Sequence, residues 1–199
     1  MARGVHIGRR MKLLAIAFVA ACATSATPPV TNAGPAAADA LLSPAELEQI
    51  ARGLRDRLPP VDRAVAATCQ AEVDAYNHDP EAADASLHLG ASASCYYEAG
   101  AIGAAIRIWA NLIETDPGSP AAEDAALRRA RAYEHIGFFR DAAQAHAQIA
   151  APGHHQRAMC LYRELGDAAD AERLRLALSP AERAQPCDVI RTIATRAVR

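Results

Sequence analysis

Tyr96-Tyr97-Glu98-Ala99-Gly100-Ala101-Ile102-Gly103-Ala104-Ala105-Ile106-Arg107-Ile108-Trp109-Ala110-Asn111-Leu112 is the stretch that decides the fold. Tyr96, Gly100, Ala105, Trp109, Leu112 and Pro117 are separated by 4, 5, 4, 3 and 5 residues. Tyr133, Gly137, Ala142, His146 and Ile149 reproduce the gaps 4, 5, 4 and 3, and Tyr162, Gly166 and Ala171 repeat the first two. Each fixed point has a physical reason. Glycine takes the left-handed conformation that ends one helix and turns the chain into the next. The alanine five residues on fits where two helix backbones meet too closely for anything larger. The tyrosine lies one turn before the glycine, and the large residues after the alanine face inward.

Outward from this core the chain reads as helix throughout. Ser43-Pro44-Ala45-Glu46 and Ser179-Pro180-Ala181-Glu182 place an N-cap hydroxyl, a first-turn proline and a reciprocal glutamate in capping-box register. Ser119-Pro120 and Asp79-Pro80 supply two further cap-proline openings. Hydrophobic residues make up 51% of the 199 positions, but 50 residues are alanine and only 5% are aromatic. Alanine is the best helix former and is depleted in strands, so the composition disfavours a β-sandwich or barrel. The expected fold class is all-α, built of antiparallel helix pairs stacked on one another.

The repeated unit resembles the tetratricopeptide repeat, a helix–turn–helix of about 34 residues. Residues 82–117 match it best, with Leu89, Ala93, Tyr96, Gly100, Ala105, Trp109, Leu112 and Pro117, and depart from it at Ser92. Residues 119–152 keep Ala130 but carry Arg129 where the family has leucine, and close early on Pro152. Residues 153–178 are degenerate, with a shortened first helix and Arg175 at the bulky position. Residues 44–78 read as a worn earlier pair, and 187–199 as a C-terminal capping helix with the apolar stripe Val189, Ile190, Ile193, Ala194 and Ala197. The resemblance implies an α-solenoid whose first helices line a partner groove. Carried across position by position, that groove comprises Tyr97 and Glu98, then Asp124, Leu127, Arg131, Glu134 and His135, then Gln156, Arg163 and Glu164. The spacing of Asp124, Leu127, Arg131 and Glu134 also puts those four on one helical face.

The first residues read as a leader rather than as part of the domain. Arg3, Arg9, Arg10 and Lys12 precede the apolar run Leu13 to Ala21, a charged start and short core that describe a signal peptide over 1–21. Nine residues are too few to span a hydrocarbon layer of about 30 Å. Met11 offers a second start. Val19-Ala20-Ala21-Cys22 resembles a bacterial lipobox, with Cys22 as the lipid-attachment residue; ordinary cleavage near Thr24-Ser25-Ala26 is the alternative. Ala23 after the cysteine favours outer-membrane sorting, facing the periplasm, with a soluble periplasmic protein as the alternative. Residues 22–43, rich in Ala, Pro and Thr, read as a flexible tether. Without residues 1–21 the chain keeps 17 basic against 23 acidic side chains, a net charge of −6 that disfavours nucleic acid as a partner.

In an oxidising compartment Cys69 with Cys95, and Cys160 with Cys187, make two disulfides of similar loop length, each worth roughly 3 kcal/mol by chain entropy. The alternative is four buried thiols acting as small hydrophobes. Little in the sequence suggests catalysis. His154 and His155 are adjacent, His135 and His146 fall on different helices, and no HExxH, GxSxG, CxxC or phosphate-cradling loop occurs. The reading is therefore a non-catalytic protein–protein interaction module, a lipoprotein holding a peptide or protein partner near the outer membrane. It calls for no metal, cofactor or small-molecule substrate. An accessory or regulatory subunit of an envelope enzyme, or of a secretion or pilus assembly complex, is the alternative.

Overall fold

The computed structural model describes residues 41–197. The expected leader, Cys22 and the tether through residue 40 lie outside the described residues. Helices form the framework, and no strand occurs among the described residues. They are α1 Pro44–Arg55, α2 Arg63–Thr68, α3 Gln70–His78, α4 Ala85–Glu98, α5 Ile102–Thr115, α6 Pro120–His135, α7 Phe139–Ala147, α8 His154–Glu164, α9 Ala168–Ala177, α10 Pro180–Arg183 and α11 Val189–Arg196. None is long and apolar enough to cross a membrane.

The expected caps start three of these helices. Ser43 Oγ accepts from Glu46 N while the Glu46 carboxylate accepts from Ser43 N at 2.8 Å, and Ser179 with Glu182 repeats the arrangement. Ser119 Oγ accepts from Ala122 N at 3.1 Å. Asp79-Pro80 opens nothing: Asp79 closes α3, and a turn leads from it to α4 at Ala85. The residue before a proline is pushed to extended backbone, which ends a helix as readily as it precedes one.

Three helices end on the same device. Gly100, Gly137 and Gly166 have φ of 78°, 75° and 77°. Ala101, Phe138 and Asp167 each donate their N–H to the carbonyl of Tyr96, Tyr133 and Tyr162 at 2.8 Å, and each glycine donates to the residue after that tyrosine. This is the Schellman pair of hydrogen bonds, and it explains the constant gap from tyrosine to glycine. After each turn comes a buried alanine, Ala105, Ala142 or Ala171. Helices α3 to α9 pack each on the next along the chain, and α11 packs on α8.

One core gathers on Leu89, Ile106, Trp109 and Leu112, and a second on Phe139, Leu161, Leu174 and Ile190. Helix α1 does not pair with α3 as an earlier repeat. Its Ala51 and Leu54 belong to the second core, with Ala51 directly over Gly137. The chain then crosses the Gly100 turn, where Asp62 N donates to Ala99 O at 2.9 Å and Pro59 and Pro60 lie alongside the glycine. Residues 51–62 thus strap two turns in the reverse of their sequence order.

The cysteines, left open by the sequence, form two bonds. Cys69, between α2 and α3, joins Cys95 of α4, and Cys160 of α8 joins Cys187 ahead of α11. Helix α11 begins at Val189 rather than 187. Its start is held by the buried Glu164 carboxylate, which accepts from Val189 N at 2.7 Å and Ile190 N at 2.9 Å. Those are two of the backbone donors a helix start leaves unpaired. Glu164 is therefore an internal cap and no groove residue. Burial pushes its carboxyl above the ordinary glutamate range, and the two backbone donors only partly oppose that.

Candidate interaction face and its ionic network

The residues expected along the groove divide into three sets. Tyr97 at the end of α4 packs its ring against Trp109 of α5, with centroids 5.8 Å apart, and shares a 2.6 Å hydrogen bond between its hydroxyl and Nδ1 of His135 on α6. Burial raises the Tyr97 pKa and keeps its hydroxyl protonated. Tyr97 and His135 thus join two consecutive helix pairs, with the His135 ring exposed to solvent. Glu98 is exposed beside them.

A second set does not converge. Asp124 is engaged within its own helix by Arg128 at 2.5 Å, and both are exposed. Leu127 is half-buried on the wall of an apolar cleft of about 550 Å³, which it shares with Ile113, Ala126 and Ile149. Arg163 is exposed on α8, near Met159, Ala171 and Arg175. Gln156 turns its amide towards the Cys160 sulfur at 3.3 Å.

The third set centres on Glu134, which is not on an open surface. It is 7% exposed and lies beneath the face that the sequence assigns to it. Arg157 of α8 grips it with both arms of the guanidinium, Nε to Oε1 at 2.5 Å and Nη2 to Oε2 at 2.8 Å. Nε2 of His146, on α7 and 1% exposed, lies 3.0 Å from the same Oε1. Nδ1 of His146 in turn meets Nδ1 of His154 at 2.8 Å, the ring planes 23° apart and the centroids 5.0 Å apart. Burial works to raise the Glu134 pKa, but the bonds from His146 and Arg157 outweigh it and hold the carboxyl below its ordinary range. The same contact raises Arg157 further. His154 is lowered, first by burial and then by the positive groups around it, Arg131 among them.

The network has a counterpart one repeat earlier. Glu134 and His146 stand 12 residues apart, as do Tyr97 and Trp109, and they occupy the same positions relative to the turn glycine. The contact between the two helices of a pair is aromatic in one copy and a carboxylate–imidazole hydrogen bond in the next. His146, Arg157 and His154 were not among the expected site residues. The first was legible from that spacing of 12; the other two lie on a helix whose register the repeat pattern no longer fixes.

The arrangement is suited to holding charge in place. It fixes a buried carboxylate, a guanidinium and two imidazoles between α6, α7 and α8, and leaves Arg131, His135 and Glu98 outward. Among the described residues, no group of three or more His, Cys, Asp or Glu side chains is placed to hold a metal ion. No family model, curated protein or solved structure matches this chain.

Proposed function

We propose that this chain is a tetratricopeptide-like interaction module of a bacterial cell envelope, carried as an outer-membrane lipoprotein and holding a peptide or protein partner in its groove. The observation that carries this reading is the recurrence of one turn. Three helices end in the same tyrosine–glycine Schellman pair, each followed by a buried alanine. Helices packing in sequence through α3 to α9 are what a solenoid of stacked pairs requires. The exposed Glu98, Arg131 and His135, with the half-buried Tyr97 ring beside them, form a mixed-charge face, a composition suited to a polar peptide.

Two experiments test the two halves of the reading. A photo-crosslinking residue in place of Arg131 in cells is expected to give a discrete adduct, absent when the same residue replaces the exposed Arg173 of α9. Equal adducts from both positions would remove the groove from the reading. Cys22→Ser is expected to move the protein from the membrane fraction to the soluble one, because a stable hold on the bilayer needs acyl chains. Retention on the membrane would refute the lipid anchor.

A further inference from the structure

The contact between His146 and His154 has a limited capacity for protons. An ionised Glu134 only accepts, so His146 donates to it from Nε2. A neutral His146 therefore carries its lone pair on Nδ1, and the proton in the 2.8 Å contact belongs to His154. One added proton is absorbed without moving a ring. It either sits on Nε2 of His154, or makes His146 donate from both nitrogens while His154 changes tautomer to accept. A second added proton has no such place. Both Nδ1 atoms would then carry hydrogen at hydrogen-bond distance, with two positive rings edge to edge.

The surroundings sharpen this limit. Arg131 and Glu134 face the pair from α6, and Arg157 faces it from α8. Glu134 is already matched by Arg157. Glu164, which acts on Arg157, is committed to the start of α11. His155 next in sequence acts on Glu182 of α10. Arg131 and Arg157 both oppose protonation of His154, and Glu134 offsets them only in part.

We propose that His146 and His154 form a proton gate in the joint between α7 and α8, closed while the pair holds at most one added proton and opened by the second. The two imidazoles form a polar bridge between these helices, so their parting loosens α8 against α7 and shifts Arg157 from Glu134. If the neighbouring groove holds a partner, as proposed above, acidity would change its grip; the gate itself stands on the geometry alone.

The sign of the pH effect follows from His154. Its folded-state pKa lies below imidazole's ordinary 6.5, so the unfolded chain takes up the proton first as pH falls. Stability from this site is present above 6.5 and is lost as pH falls through that value. The test is amide hydrogen exchange of the full chain at about pH 7.5 and about pH 5, corrected for intrinsic rates. A difference of one bound proton changes an opening constant tenfold per pH unit, so amides of α7 and α8 should exchange roughly tenfold faster at the lower pH. Those of α4 and α5 should not accelerate. His154→Gln, whose amide donates to His146 without titrating, is expected to abolish the acceleration, and Arg131→Gln to reduce it. Unchanged exchange in the wild type, or full acceleration in H154Q, overturns the gate. Should H154Q fail to fold at the higher pH, an undiminished acceleration in R131Q overturns it. Peptide capture is no part of this readout, so failure of the gate leaves the groove standing.

Discussion

Gly137→Ala is expected to destabilise the protein by about 2–5 kcal/mol, against about 1–2 kcal/mol for Gly166→Ala. Both glycines have left-handed φ, 75° and 77°, so each alanine incurs the same backbone strain. They differ in what a new Cβ would meet. At Gly166 nothing lies within 4 Å, whereas at Gly137 the Cα of Ala51 would stand at 2.7 Å and its Cβ at 2.9 Å. Those atoms belong to helix α1, whose backbone rests on the turn and cannot yield as the end of a long side chain does. The extra cost therefore falls on the docking of α1, and Ala51 and Leu54 leave the second core. At this chain length the predicted loss corresponds to a fall of roughly 5–15 °C in Tm for Gly137→Ala. Limited proteolysis gives the local readout: cleavage near Arg57, in the segment joining α1 to α2, should rise in Gly137→Ala and not in Gly166→Ala. Equal behaviour of the two variants would show that the strap yields without cost.

Those turn glycines were legible in the sequence because the device that needs them is local. A Schellman pair fixes a glycine, the residue four positions before it and a chain reversal within six residues, so three copies leave a pattern visible by spacing alone. The caps at Ser43, Ser119 and Ser179 were legible for the same reason: cap and partner lie three residues apart. The position of α1 was not. Its apolar residues announce a buried face, but nothing local says that the face belongs on the Gly137 turn, more than eighty residues further along. The reach of charged side chains was hidden in a similar way. Glu134 and Glu164 read as solvated positions on helix faces, yet both are buried. Their partners lie at Arg157 and at the amide of Val189, 23 and 25 residues away. A carboxylate enters a core when donors meet it there, and a single sequence shows the carboxylate without the donors. The cysteines fall between these cases: similar loop lengths suggested the pairing, and only the approach of α4 and of the segment before α11 makes it possible.

Glu134→Ala is expected to cost about 2–4 kcal/mol, somewhat less than the removal of one partner from a fully buried pair, because the Arg157 side chain is 35% exposed and regains some water. His146 has no such relief. At 1% exposure its Nε2–H is left without an acceptor. Because the two side chains share one interaction, the double variant Glu134→Ala/His146→Ala should cost less than the sum of the single variants, by about 1–2 kcal/mol. The pH dependence separates this site from the histidine pair above it. A carboxyl held below a glutamate's ordinary 4.5 contributes its full stability above that value and loses it as pH falls through the lowered one. Glu134→Gln should therefore flatten the acid limb of the stability curve below about 4.5, while leaving the loss that begins near 6.5 in place. Denaturant melts of the full chain across that range, with both variants, check the two windows together. Strictly additive costs for Glu134 and His146, or an acid limb unchanged in E134Q, would mean that the carboxylate stabilises nothing beyond its own packing, and the carboxylate–imidazole contact would then be no substitute for the Tyr97–Trp109 contact one repeat earlier.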